Sequence, residues 1–185
     1  MNIIDRSALY LAKAIRRNNP NAASEAVLNF SLVIVINTIS TILLVILFCS
    51  ITGHLLEGII AMASFAILRN FSGGIHLKSS IYCTIISAGS LILFAHITLS
   101  YFYIGFSMDI VTIILLLLYA PDGFENRSRL NPKYYPLLKV ASILVVAANF
   151  YIQSSVISFS LLTQALTTTR AANLLNNKFE GRESY

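Results

Sequence analysis

Charge is scarce in this sequence. Only 11% of its 185 residues are Asp, Glu, Lys or Arg, against 56% hydrophobic, and so few ionised side chains cannot cover an ordinary soluble domain. An integral membrane protein is the class that remains. Cysteine is scarce too. Cys49 and Cys83 are the only two, which excludes a disulfide framework, and their different local surroundings argue against a bridge between them. With three histidines in the chain, no third Cys or His stands near enough to complete a ligand set, so no metal or other cofactor is expected. The net charge of +5 does not point to nucleic acid, because the basic residues lie between apolar runs rather than along one polar face.

What is present is long apolar runs. Residues 3–17 come first as an amphipathic helix, with Ile4, Ala8, Leu11, Ala12 and Ile15 on one face and Arg6, Lys13, Arg16 and Arg17 on the other. The cationic face suits an anionic leaflet, although a packed bundle helix has the same pattern. Asn18-Asn19-Pro20-Asn21 ends it. Val27–Phe48 is long enough for a first span, and it is too long for a signal-peptide core. Leu55–Leu68 is a second run of marginal length, carrying Glu57 near its start. A third reaches from about Ile81 to Tyr103, where Tyr101-Phe102-Tyr103 resembles an interfacial aromatic belt. A fourth covers Met108–Tyr119 and stops at Ala120-Pro121-Asp122-Gly123. From Leu137 to about Leu166 the chain is apolar for longer than one span needs, which leaves one oversized helix or a tight hairpin.

The basic residues bear on that choice. They cluster before the first span, at Arg69 and Lys78, between Arg127 and Lys139, and in the tail at Arg170, Lys178 and Arg182, with none in 49–56 or 101–109. The positive-inside rule then places the N-terminus, the Arg69–Cys83 loop and the Pro121 loop in the cytoplasm of a multi-pass cell-membrane protein. A cytoplasmic tail requires six segments rather than five. The expectation is an all-α polytopic helix bundle forming a single membrane domain over 1–185: an interfacial helix at 1–19, the bundle at 20–166 and a polar cytoplasmic tail at 167–185.

Reactive side chains concentrate in one stretch, Arg69-Asn-Phe-Ser-Gly-Gly-Ile-His-Leu-Lys-Ser-Ser-Ile-Tyr-Cys83. A thiol attacks as thiolate, and its free pKa of about 8.5 has to be lowered by a cation, an imidazole or a helix N-terminus. Arg69, Lys78 and His76 supply the first two. A helix capped by Ser79 or Ser80 would supply the third, with Cys83 in its first turn. On one continuous helix His76 and Cys83 would stand about 10.5 Å apart, too far for proton transfer, so the pair requires a break, which Gly73-Gly74 and the serines permit. The alternative is a buried small Cys83 and a His76 at headgroup level. Cys49 and His54 are a second close pair, on the expected outer side, without adjacent cations and with Glu57 nearby. His96, an ionisable group inside a span, fits a different class: a small transporter or scaffold in which His96, Glu57 and Asn149 line a polar pathway and no covalent catalysis occurs.

The stretch resembles the accessory gene regulator B (AgrB) membrane endopeptidases of Gram-positive quorum sensing. Arg69, Gly73, Gly74, His76, Ser80 and Cys83 stand in the order and spacing of that family's signature, and Tyr119-Ala120-Pro121 opens a polar, basic loop as it does there. The resemblance covers nearly the whole chain, though the Asp122–Arg129 loop has no proline-rich run or lysine cluster. It implies a cysteine peptidase with a Cys83–His76 dyad that cleaves an amphipathic, AgrD-like precursor peptide on its C-terminal side. An internal cysteine or serine of the substrate then attacks the acyl-enzyme thioester and releases a cyclic thiolactone or lactone signal. It implies a homodimer as well. Arg69, Lys78, Arg127, Arg129 and Lys133 would draw in the acidic end of the precursor, or they set topology alone.

Overall fold

The computed structural model describes residues 3–74, 79–97, 99–122, 131–170 and 172. In lipid each backbone N–H and C=O has to be satisfied within its own segment, and helix dominates accordingly. Helix α1 is Ile3–Asn18, α2 Glu25–Ile51, α3 Leu55–Ser72, α4 Ser80–His96, α5 Phe106–Tyr119, α6 Tyr135–Ile152 and α7 Ser155–Leu166. A π-helical turn, Tyr101–Gly105, leads into α5, and a 3-10 turn, Pro132–Tyr134, leads into α6. Glu25–Ile51, Leu55–Ser72, Tyr101–Tyr119 and Pro132–Ile152 are long and apolar enough to cross a membrane, and α4 and α7 are shorter apolar helices. The protein is an all-α polytopic membrane bundle.

The last apolar run is a hairpin of two helices. Gln153 sits at φ 58, in the left-handed region, and its N–H closes on the Asn149 carbonyl at 2.7 Å. Ser154 then starts α7, its side chain accepting from the Ile157 N–H. Elsewhere a boundary moves. The third apolar helix ends at His96, not near Tyr103, because Ile97 and Ser100 are extended. Tyr101 belongs to the next span: its hydroxyl donates to Asp109 Oδ2 at 2.9 Å, and that buried bond draws the aromatic segment into the α5 column. Gly105 leaves the room, since a Cβ there would press on the Tyr101 ring.

Two apolar clusters hold the bundle. Val45, Cys49, Ala61, Ala88, Leu91 and Ala95 join α2, α3 and α4. Leu68, Leu116, Ala120, Val146, Leu161 and Ala165 join α3, α5, α6 and α7, so α3 serves both. Small residues let the helices close up: a Cβ added to Gly58 would lie 2.7 Å from Cys49 Sγ. The short α7 packs mainly on α3 and α5, which keeps Ser158, Ser160 and Gln164 fully buried and away from lipid.

Helix α1 divides its apolar residues between two surfaces. Ala8 and Ala12 are fully buried where α1 lies on α2. Ile3, Tyr10, Leu11 and Ile15 remain exposed, the surface an interfacial helix offers to lipid. Arg16 Nη1 ties its end down by donating to Pro20 O at 2.8 Å and Ala22 O at 2.6 Å.

Candidate active site

The site begins where α3 stops. The Gly73 N–H donates to Arg69 O at 3.0 Å, and the chain then turns through Gly73 at φ 72 and Gly74 at φ 116, conformations that a side chain makes costly. Space excludes a side chain at Gly74 independently, because a Cβ would collide with Thr167 Oγ1 at the end of α7. The turn is stitched to the segment after α5. Asp122 N–H donates to Ser72 O at 3.0 Å, and Gly74 N–H donates to Asp122 O at 3.1 Å, a parallel bridge between Gly73 and Asp122. The Arg69 loop and the Pro121 loop therefore form one end of the bundle.

Gln164, fully buried on α7, clamps that end. Its Nε2 donates to Gly73 O at 2.7 Å and Ser72 Oγ at 3.1 Å, and its Oε1 accepts from Arg69 Nη1 at 3.2 Å. The guanidinium also lies 6.0 Å above the Phe65 ring. Arg69 is thus a structural tie between α3 and α7. Nothing in the sequence pattern singles Gln164 out beyond its being an amide inside an apolar run.

Helix α4 opens the other side of the loop, and the helix break required between His76 and Cys83 is present: Ser79 is extended and α4 begins at Ser80. Ser79 occupies the N-cap position, but its side chain makes no capping bond. Ser80, nearly fully buried, does not cap either; its hydroxyl donates to Asp5 Oδ1 of α1 at 2.7 Å. The Thr84 hydroxyl meets Ser80 O at 3.0 Å and also Asn37 Oδ1 of α2. Cys83 falls between these two anchors in the first turn, its N–H donating to Ser79 O at 3.0 Å. It is a free, half-buried thiol, at the end of a helix where the dipole favours an anion.

Of the other candidates, His76, Lys78, Arg127 and Arg129 lie outside the described residues. Lys133 is exposed in the turn before α6, its N–H donating to Asn131 Oδ1 at 3.1 Å. Among the described residues no group of three or more His, Cys, Asp or Glu side chains could hold a metal ion.

His96 and Asn149 sit toward the opposite end, near the C-termini of α4 and α6. His96 Nδ1 donates to Ile92 O at 2.8 Å, its Nε2 lies 2.9 Å from Thr52 Oγ1, and its ring lies against His54 with centroids 4.4 Å apart and planes tilted by 38°. Asn149 joins a separate cluster, donating to Asp109 Oδ2 at 2.9 Å and Ser158 Oγ at 2.8 Å. His96 and Asn149 thus serve two different knots. Cys49 is fully buried beside Gly58, and it lies about 18 Å along α2 from the level of Asn37, at 1.5 Å per residue.

This architecture coincides with a known sequence family. The model of AgrB, accessory gene regulator B, matches residues 4–171, from α1 through the end of α7. The chain belongs to the AgrB family. It is also 32% identical over 96 residues to an AgrB-like protein of Clostridium acetobutylicum, a match covering 50% of this chain and 46% of that protein. This AgrB-family chain therefore aligns with about half the length of that curated relative. No solved structure matches it.

Proposed function

We propose that this AgrB-family protein is a membrane cysteine endopeptidase of the accessory gene regulator system, which cleaves the C-terminal part of an amphipathic precursor peptide and promotes its cyclisation. The carrying observation is the placement of Cys83: a half-buried thiol in the first turn of α4, a helix that starts six residues after a glycine turn locked to a second loop. Cys83 is the nucleophile and His76 the general base. The imidazole takes the thiol proton, the sulfur attacks the scissile carbonyl, and the C–N bond breaks as the same proton passes to the leaving amine. The product of that step is an S-acyl thioester on Cys83.

A thioester keeps enough acyl-transfer potential for exchange with another thiol, whereas a hydrolysed carboxylate does not. The precursor's own cysteine or serine then attacks the carbonyl as His76 takes its proton, the carbonyl–Sγ bond breaks with Cys83 leaving as thiolate, and a thiolactone or lactone is released. Water at the thioester would end in hydrolysis, so a site at the bilayer edge, low in water and holding the acyl peptide close, favours ring closure. Lys78, Arg127, Arg129 and Lys133 attract the acidic end of the precursor at long range. In this reading the chain is one membrane domain acting as a homodimer, with its N-terminus and the Cys83 loop in the cytoplasm.

The test is co-expression with an amphipathic precursor carrying a central cysteine, comparing the unaltered protein with Cys83→Ser and His76→Ala at equal membrane levels. Loss of cleavage in both supports the dyad. Full cleavage in either variant overturns it. Trapping of the precursor on Cys83 as a hydroxylamine-labile adduct separates acyl transfer from simple binding.

A further inference from the structure

Helix α1 carries four basic residues and one acid, Asp5. On a helix that only lies on a membrane, that acid would be expected in the polar face with Arg6, Lys13, Arg16 and Arg17. It is not there. Asp5, Ala8 and Ala12 stand at i, i+3 and i+7, one column of the helix, and Ala8 and Ala12 are the fully buried residues of α1. The acid is half-buried next to those alanines, and its Oδ1 accepts from the buried Ser80 hydroxyl at 2.7 Å across 75 residues of sequence.

Ser80 is the first residue of α4, three before Cys83 and four before Thr84, so all three are neighbours on that helix. Thr84 is bound to Asn37 of α2. The first turn of α4 is consequently fastened to α1 through Asp5 and to α2 through Asn37, and Cys83 lies between the two fastened residues in sequence. Ser79 makes no side-chain cap, so the Asp5 contact does for this turn what a cap does elsewhere: it fixes the start of the helix.

We infer that Asp5 is a positioning residue of the cysteine site, latching the amphipathic helix onto the α4 turn that presents Cys83, so that α1 is part of the enzyme as well as a membrane-facing element. The inference rests on the peptidase reading for its activity measurements, but not for its thiol measurements. Asp5 acts through Ser80 and touches no reacting atom.

The experiment uses the full-length protein in native membrane vesicles with three single variants, Asp5→Ala, Ser80→Ala and Asp5→Asn, and the Asp5→Ala/Ser80→Ala double. Two readouts are taken: precursor cleavage, and the alkylation rate of Cys83 by a small maleimide, with Cys49 followed separately by mass spectrometry. The latch predicts that Asp5→Ala and Ser80→Ala each lower kcat for cleavage at least tenfold with KM within twofold. The double variant falls no further than the worse single, because both break the same bond. Asp5→Asn, whose amide oxygen still accepts from Ser80, recovers most of the loss. Alkylation of Cys83 changes at least threefold, in the same direction, in Asp5→Ala and Ser80→Ala, while Cys49 stays silent.

Cleavage losses that multiply in the double variant overturn the latch, as does an Asp5→Asn variant as impaired as Asp5→Ala. If Asp5→Ala does not accumulate in membranes, Ser80→Ala decides alone, since it removes the donor and spares the apolar contacts of both helices. Unchanged alkylation and cleavage in Ser80→Ala overturn the inference. Alkylation needs no precursor: a threefold change there with no cleavage by the unaltered protein overturns the peptidase reading and supports the latch.

Discussion

Replacing Gln164 by Leu tests whether the glycine turn is held by one buried amide. The substitution keeps the length and most of the volume of the side chain, and it removes three hydrogen bonds at once: those to Gly73 O, Ser72 Oγ and Arg69 Nη1. Average side-chain hydrogen bonds between membrane helices are worth about 0.6 kcal/mol each, which sets a floor of about 2 kcal/mol. Bonds to charged groups are worth about 1.5–3 kcal/mol and neutral ones about 1, which raises the ceiling to about 5 kcal/mol. The expected loss for Gln164→Leu is therefore about 2–5 kcal/mol, measured as the free energy of reversible unfolding by SDS in mixed micelles. Gln164→Glu separates the contributions, since it keeps an acceptor for Arg69 and loses the donor to Gly73 O; it should fall between the unaltered protein and Gln164→Leu. A Gln164→Leu loss under about 0.5 kcal/mol would refute the clamp, because even the floor of the membrane estimate is well above it. Gln164→Glu being worse than Gln164→Leu would refute the share assigned to Arg69.

Gly74→Ala should cost about 1–3 kcal/mol from backbone strain at φ 116 alone, with a further steric share from Thr167 Oγ1; adding Thr167→Ala should recover only that second share in the same SDS titration. Gly58→Ala should lose about 1–3 kcal/mol through overpacking, since its Cβ meets Cys49 Sγ at 2.7 Å, and Cys49→Ala on top should restore most of it, as thermal denaturation in detergent would report. Oxidation of the unaltered protein should give no intramolecular Cys49–Cys83 disulfide by non-reducing mass spectrometry, because about 18 Å of helix separates Cys49 from the level of the Thr84–Asn37 contact; finding that bridge would refute the packing of α2 against α4.

Most of the helical outline is legible from apolar run length, because a span must reach across the hydrocarbon and satisfy its own backbone. The interruption before Cys83 is legible as well, since Gly73 and Gly74 allow positive φ where other residues resist it. Run length fails where a side chain chooses its partner. Tyr101 reads as the end of one span, and its bond to Asp109 places it at the start of the next. The partners of Gln164 and Asp5 are invisible to periodicity because they lie 95 and 75 residues away. Periodicity says which face of a helix is buried, and says nothing of what lies opposite. In Asp5 a signal exists: the one acid of α1 falls in the same column as Ala8 and Ala12, on the face that packs.

The two cysteines show how differently the fold can treat residues that look alike in local sequence. Cys49 and His54 are closer in sequence than His76 and Cys83, yet the fold gives that pair no common task. Cys49 is fully buried, with its sulfur against Gly58, while the His54 ring donates to Thr52 O at 2.9 Å and lies against the tilted His96 ring. A thiol enclosed in that way is a small apolar filler that lets α2 and α3 approach. Cys83 sits instead at the start of a helix, half-buried, on a turn fastened through Ser80 and Thr84 on either side. What separates the two is the anchoring of the helix that carries the sulfur, and those anchors come from α1 and α2. A truncation removing α1 should therefore silence Cys83 chemistry while leaving the environment of Cys49 as it is.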